Sequence, residues 1–97
     1  MSNKPLLLIV DDDPLISDAL SYAFAAEFDV VTSHARPHCL ALLRQLRQAP
    51  QVALVDLGLP PQPHRPDEGF ALIGELLAHA PEMKIIVLSG QNGDDNA

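Results

Sequence analysis

Four short apolar runs alternate with stretches of helical spacing. The runs are Leu6-Leu7-Leu8-Ile9-Val10, Asp29-Val30-Val31-Thr32-Ser33, Val52-Ala53-Leu54-Val55-Asp56 and Lys84-Ile85-Ile86-Val87-Leu88. Each is too short for a helix and rich in Leu or β-branched residues, which predicts strands. The first, third and fourth lack alternating polar positions, as expected of parallel strands buried on both faces. The second is more polar and reads as an edge strand. Asp13-Pro14 offers an N-cap followed by proline at the first helical position. Leu15, Ile16, Ala19, Leu20, Ala23 and Phe24 then repeat at helical spacing to about Glu27. Arg36-Pro37 opens a second helix carrying Leu40, Leu43 and Leu46, which Ala49-Pro50 stops. Glu68 or Gly69 leads into a third with Phe70, Ile73, Leu76 and Leu77 apolar, ended by Ala80-Pro81. The β-α-β-α-β-α-β alternation predicts an α/β fold with a parallel sheet and right-handed crossovers.

Composition narrows the picture. At 97 residues the chain is read as one domain, 1–97, and 47% hydrophobic content is enough for a core. A net charge of −7 argues against direct binding of nucleic acid, which needs clustered Lys and Arg. Apolar runs of about five residues fall far short of the ~20 that span a bilayer. No signal-peptide segment precedes the first strand, and a lone Cys39 makes no internal disulfide. The expectation is a cytoplasmic, soluble protein with no membrane contact.

The chemistry gathers at strand ends. The first run ends in Asp11-Asp12-Asp13, the third in Asp56 followed by Leu57-Gly58-Leu59-Pro60, and the fourth in Ser89-Gly90. In open α/β sheets the carboxyl ends of the strands form the ligand crevice. Two carboxylates ~5 Å apart repel by roughly 3 kcal/mol at an effective dielectric of 20, so such a cluster calls for a counter-charge. Oxygen-only donors favour a hard, hydrated cation such as Mg²⁺. Asp13 is read as the helix cap.

Leu8-Ile9-Val10-Asp11-Asp12, Val55-Asp56-Leu57-Gly58-Leu59-Pro60 and Val87-Leu88-Ser89-Gly90, in this order and spacing, resemble the receiver domain of two-component response regulators. The resemblance covers the whole chain. It implies a flavodoxin-like, doubly wound sheet of strand order 2-1-3-4. It also implies that Asp56 accepts a phosphoryl group from the histidine of a sensor kinase. Asp12 would hold Mg²⁺ directly, Asp11 through water, and the Gly58 carbonyl would complete the protein ligands with Asp56. Ser89 would hydrogen-bond the phosphoryl oxygen. Such a protein is a phosphoacceptor rather than an enzyme, with at most Mg²⁺-assisted self-phosphorylation and self-dephosphorylation. Leu15 and Ile16 are either kinase-docking or core residues.

The family also has a fourth helix, a fifth strand carrying a switch aromatic and ending in a lysine, and a fifth helix. None of these is in the sequence, so the resemblance is to a receiver truncated after its fourth strand. Lys4 and Lys84 sit at the opposite ends of their strands. An apolar fourth strand left at the sheet edge predicts self-association. The Pro-rich loop, with Asp67-Glu68-Gly69-Phe70 after it, resembles NtrC-type activators of the exopolysaccharide and PEP-CTERM sorting kind. That likeness implies an AAA+ output module and a DNA-binding helix-turn-helix outside this sequence.

Two other functions compete. A haloacid-dehalogenase-type phosphatase would use Asp11 as nucleophile, Asp13 as general acid and Ser89, but it leaves Asp56 unexplained and lacks the later acidic motif. A receiver-like module could serve in assembly without phosphorylation. Dinucleotide binding fails, because no Gly-rich turn follows the first strand. His34, His38 and His79 with Cys39 match no standard zinc spacing. Arg36, Arg44 and Arg47 read as a solvated face.

Overall fold

In the computed structural model, residues 3–88 are described. Strands β1 (Leu6–Val10), β2 (Asp29–Ser33), β3 (Val52–Asp56) and β4 (Lys84–Leu88) alternate with helices α1 (Pro14–Phe24), α2 (Arg36–Gln45) and α3 (Asp67–His79). All strand pairs are parallel and the order is β2-β1-β3-β4. This is the α/β, flavodoxin-like arrangement expected, with β2 at an edge.

Residues paired across the sheet share a face, and successive residues change face. Leu8 and Val10 on β1, with Ala53 and Val55 on β3, meet Cys39, Leu43, Leu72 and Leu76 of α2 and α3. Leu7, Ile9 and Leu54 face the other way, towards Leu20 and Phe24 of α1. The central strands are therefore buried on both sides, which is why their sequences show no polar alternation. A fully buried Leu or Val stabilises the fold by about 2 kcal/mol. That burial anchors the strand ends that carry the carboxylates.

The α1 side is thinly covered. Helix α1 has no buried residue, and Leu15 and Tyr22 are 79% and 89% exposed. Core packing for Leu15 is thereby excluded among the described residues, and Ile16 is exposed too. Ile86, in register with Leu54 on this face, is 51% exposed.

Three helix features differ from expectation. Helix α1 stops at Phe24 rather than near Glu27, because the N–H groups of Glu27 and Phe28 turn back to the Phe24 carbonyl. Phe28 then packs edge-on against Phe24, with ring centroids 5.9 Å apart. The N–H of Asp29 bonds the Pro5 carbonyl at 2.9 Å and starts β2. Helix α2 ends at Gln45, ahead of Ala49-Pro50, with the Leu46 N–H bonding Leu43. In α3 the buried face is Gly69, Leu72 and Leu76, with Ile73 partly buried, whereas Phe70 and Leu77 are exposed. No helix among the described residues is long and apolar enough to cross a membrane.

Candidate functional site

Strand β1 delivers Asp11 and Asp12 to the carboxyl rim of the sheet, and β3, its neighbour, delivers Asp56. One carboxylate oxygen from each of the three lies within 4.8 Å of the others. Asp11 and Asp56 are fixed by short backbone bonds. The Asp11 N–H donates to the Ser33 carbonyl at 3.0 Å, tying the end of β1 to β2. The Oδ1 of Asp11 accepts the N–H of Asp13 at 2.9 Å, and the Oδ1 of Asp56 accepts the N–H of Gly58 at 3.0 Å. These contacts leave further carboxylate lone pairs free to meet a ligand.

The electrostatics of the metal-free cluster are unfavourable. Burial pushes the Asp11 carboxyl above the ordinary range, partly offset by the Asp13 N–H, and the charges of Asp56, Asp12 and Asp13 push it further. Asp56 is likewise raised by burial, with the Gly58 N–H opposing and the Asp12 charge adding to the rise. The arginine ion pairs run elsewhere, from Arg36 to Glu68 and Glu75 and from Arg65 to Asp67. A buried Asp11, 4% exposed, among like charges is the arrangement a cation would relieve. The donor set, all oxygen, suits Mg²⁺ or Ca²⁺ rather than a soft metal.

The turn after Asp56 depends on two close approaches. A Cβ on Gly58 would collide with the Pro63 carbonyl oxygen, so the Pro-rich loop folds back onto this residue. The peptide between Pro60 and Pro61 in that loop is cis. Gly69, at the start of α3, lies flat on Leu57: its N–H donates to the Leu57 carbonyl at 3.2 Å. A Cβ there would meet the Leu57 carbonyl oxygen at 2.7 Å and carbon at 2.8 Å. Gly69 is therefore a supporting residue that helical periodicity alone did not single out.

Other candidates sort clearly. The Oδ1 of Asp13 accepts the Leu15 N–H at 3.0 Å, as a cap does, which leaves it poorly suited to general-acid chemistry. Ser89 lies outside the described residues. His34 and His38 stack with centroids 4.6 Å apart, and Ser33 Oγ lies 2.7 Å from His38 Nδ1. Both line a crevice of about 540 Å³ that opens beside Asp11 and Asp12. Cys39 is fully buried, and its thiol is pushed up to about 11 by burial, so it is an inert core residue. Among the described residues, the carboxylate trio is the cluster of metal-ligating side chains. Arg36 is not a free surface charge: while still 31% exposed, it grips two glutamates of α3.

Comparison with known proteins matches residues 7–97 to the model of the response regulator receiver domain. Transcriptional regulatory protein AruR of Pseudomonas aeruginosa is 32% identical over 98 residues, an alignment that takes in 97% of this chain. The chain spans 38% of that relative's length. A CheY-like receiver domain protein from Methanospirillum hungatei superposes with a TM-score of 0.78 at 27% identity, covering 94% of this chain and 68% of that one. A response regulator from Burkholderia pseudomallei, solved with a phosphorylated aspartic acid, a calcium ion and citrate, gives 0.77 at 24% identity, covering 92% and 49%.

Proposed function

The chain belongs to the response regulator receiver domain family, and from that premise we propose that Asp56 is its phosphoacceptor, served by Mg²⁺ at Asp11, Asp12, Asp56 and the Gly58 carbonyl. Receiver domains pair with sensor histidine kinases and with output domains, and they accept phosphoryl groups rather than turn over substrates as classical enzymes do. The observation that carries the assignment is the convergence of Asp11, Asp12 and Asp56 at one rim. Asp56 is the member at the end of the central strand, and its Oδ1 is held by the Gly58 N–H.

In the transfer, the free oxygen of Asp56 attacks phosphorus while the bond from phosphorus to the kinase imidazole breaks. The imidazole keeps the electron pair and takes up a proton. Mg²⁺, when bound, would neutralise charge on the carboxylates and on the transferring phosphoryl oxygens. Asp11 and Asp12 would hold the cation. The Gly58 N–H keeps Asp56 oriented. Ser89 is the proposed partner of the new phosphoryl oxygen.

A single hydroxyl contact of ~1 kcal/mol cannot move an equilibrium from 1:99 to 99:1, which needs ~5.5 kcal/mol. The switch therefore needs elements beyond this site. The proposed output is transcription control by an AAA+ and helix-turn-helix module carried outside these residues. The proposed setting is the cytoplasm, with residues 1–97 as a receiver unit. Self-phosphorylation and self-dephosphorylation belong to the same proposal.

The test is the intact mass of the chain after incubation with a small phosphodonor and Mg²⁺. One phosphoryl adduct is expected on the parent chain and none on Asp56→Asn, with a weaker adduct surviving in Asp11→Asn. Loss only in Asp11→Asn would support the phosphatase chemistry instead.

Self-association is the second expectation. Strand β4 is the sheet edge among the described residues, and Ile86 and Val87 are 51% and 45% exposed. Unpaired backbone groups on an apolar edge recruit another strand. Size-exclusion chromatography with light scattering should show a species larger than one chain; a well-folded monomer at every concentration contradicts it.

A further inference from the structure

Arg36 is the first residue of α2, and its guanidinium reaches along α3 from its first turn to a residue two turns on. Its Nε and Nη2 donate to the two carboxylate oxygens of Glu68 at 3.1 and 3.3 Å. Its Nη1 donates to both oxygens of Glu75 at 3.1 Å. The partners lie 32 and 39 residues away in the sequence.

We propose that Arg36 is a positioning residue for the carboxylate cluster, a strap that joins the loop behind Asp11 to the loop behind Asp56 and so sets the affinity for Mg²⁺. This deepens the metal reading above and rests on it. Each side of the strap runs through hydrogen bonds. On one side, Arg36 follows Ala35, whose carbonyl accepts the Ser33 hydroxyl at 3.2 Å. The Ser33 carbonyl in turn accepts the Asp11 N–H at 3.0 Å. On the other side, Glu68 precedes Gly69, whose N–H bonds Leu57, the residue between Asp56 and Gly58.

The body of α3 is anchored by Leu72 and Leu76, both fully buried. Its first turn has no such anchor beyond the flat contact of Gly69 with Leu57, so the charge at Glu68 decides where that turn sits. Only a planar fork can hold two carboxylates at once; a lysine ammonium would hold one well. Isolated ion pairs as exposed as these contribute little stability. The strap's effect is on the spacing of two loops, and a metal held by ligands from both loops reads that spacing directly.

Isothermal titration of the full chain with Mg²⁺ alone tests this, alongside the unfolding midpoint of each variant. Arg36→Met, which keeps the aliphatic stem, should weaken Mg²⁺ binding about fivefold or more, the lower range of typical coupling between sites. Glu68→Gln should weaken it comparably and Glu75→Gln less, because Glu75 lies two turns further along α3. Arg36→Lys should fall between the parent and Arg36→Met. A purely structural role would lower the unfolding midpoint and leave the affinity of the folded protein unchanged, and that result overturns the inference. Should Arg36→Met fail to fold, Glu68→Gln decides alone. A parent chain that binds no Mg²⁺ overturns the metal reading and the inference with it. Parent binding with unmoved variants overturns only the inference.

Discussion

Asp11→Asn and Asp56→Asn should each raise the unfolding midpoint of the metal-free protein, while Asp56→Asn abolishes phosphoryl uptake. Asparagine keeps the Oδ1 that accepts the Asp13 or Gly58 N–H, so the local turns survive. What it removes is charge. Oxygens within 4.8 Å of one another repel by about 3 kcal/mol per pair at an effective dielectric of 20. Solvent reaches Asp12 and Asp56, so a net gain of about 1–2 kcal/mol is the fair expectation. In a domain of this size that is roughly 4–8 °C for each kcal/mol.

The pH dependence has a definite sign. Both carboxyls are raised in the folded state, by burial first, so the folded state binds more protons than the unfolded chain between the ordinary and the raised values. Stability in chelator must therefore fall as pH climbs through that window. At pH values below it, the gain from Asp→Asn should vanish. Saturating Mg²⁺ should reverse the order, because the parent chain gains binding energy that the variants lose. Thermal unfolding in chelator and in Mg²⁺, at two pH values, checks every part. Equal midpoints throughout would mean the cluster is neither strained nor a metal site.

Two glycines of α3 should respond to the same substitution with opposite signs. At Gly69, alanine must place its Cβ against the Leu57 backbone, which cannot step aside without dragging Asp56 and Gly58. The strain should destabilise by about 3 kcal/mol, the upper end of ordinary overpacking, and it should weaken Mg²⁺ binding too. At Gly74 a Cβ meets nothing within 4 Å. Alanine there removes the helix cost of glycine and should stabilise by up to about 1 kcal/mol. Chemical denaturation of the two variants is the check; the same sign for both would refute the account of how α3 sets the Asp56 loop.

The strands and the carboxylate trio were legible because parallel central strands must be apolar on both faces, whereas the strand order followed only from the resemblance to receiver domains. Leu8 and Ile9 face different helices yet read alike in sequence. Prolines and Asp13 marked helix starts by local geometry, and local geometry is what a sequence carries well. Helix ends were less legible, since Ala25, Ala26 and Glu27 are good helix formers, and α1 ends where Phe28 must return to Phe24. The buried face of α3 was not legible for a related reason. Phe70 and Leu77 are more hydrophobic than Gly69, but only a residue without a side chain fits against Leu57. Arg36 looked like a solvated charge because its partners are set by the crossing of two helices, which no local pattern encodes.

The measurement that bears most directly on the account is the position of the acyl phosphate. The chain, phosphorylated in Mg²⁺ by a small phosphodonor, is treated with borohydride, which reduces an aspartyl phosphate to homoserine, and is then mapped by peptide mass spectrometry. Homoserine at position 56, dependent on Mg²⁺, is the predicted result. Homoserine at position 11, with Asp56 unmodified, would contradict it.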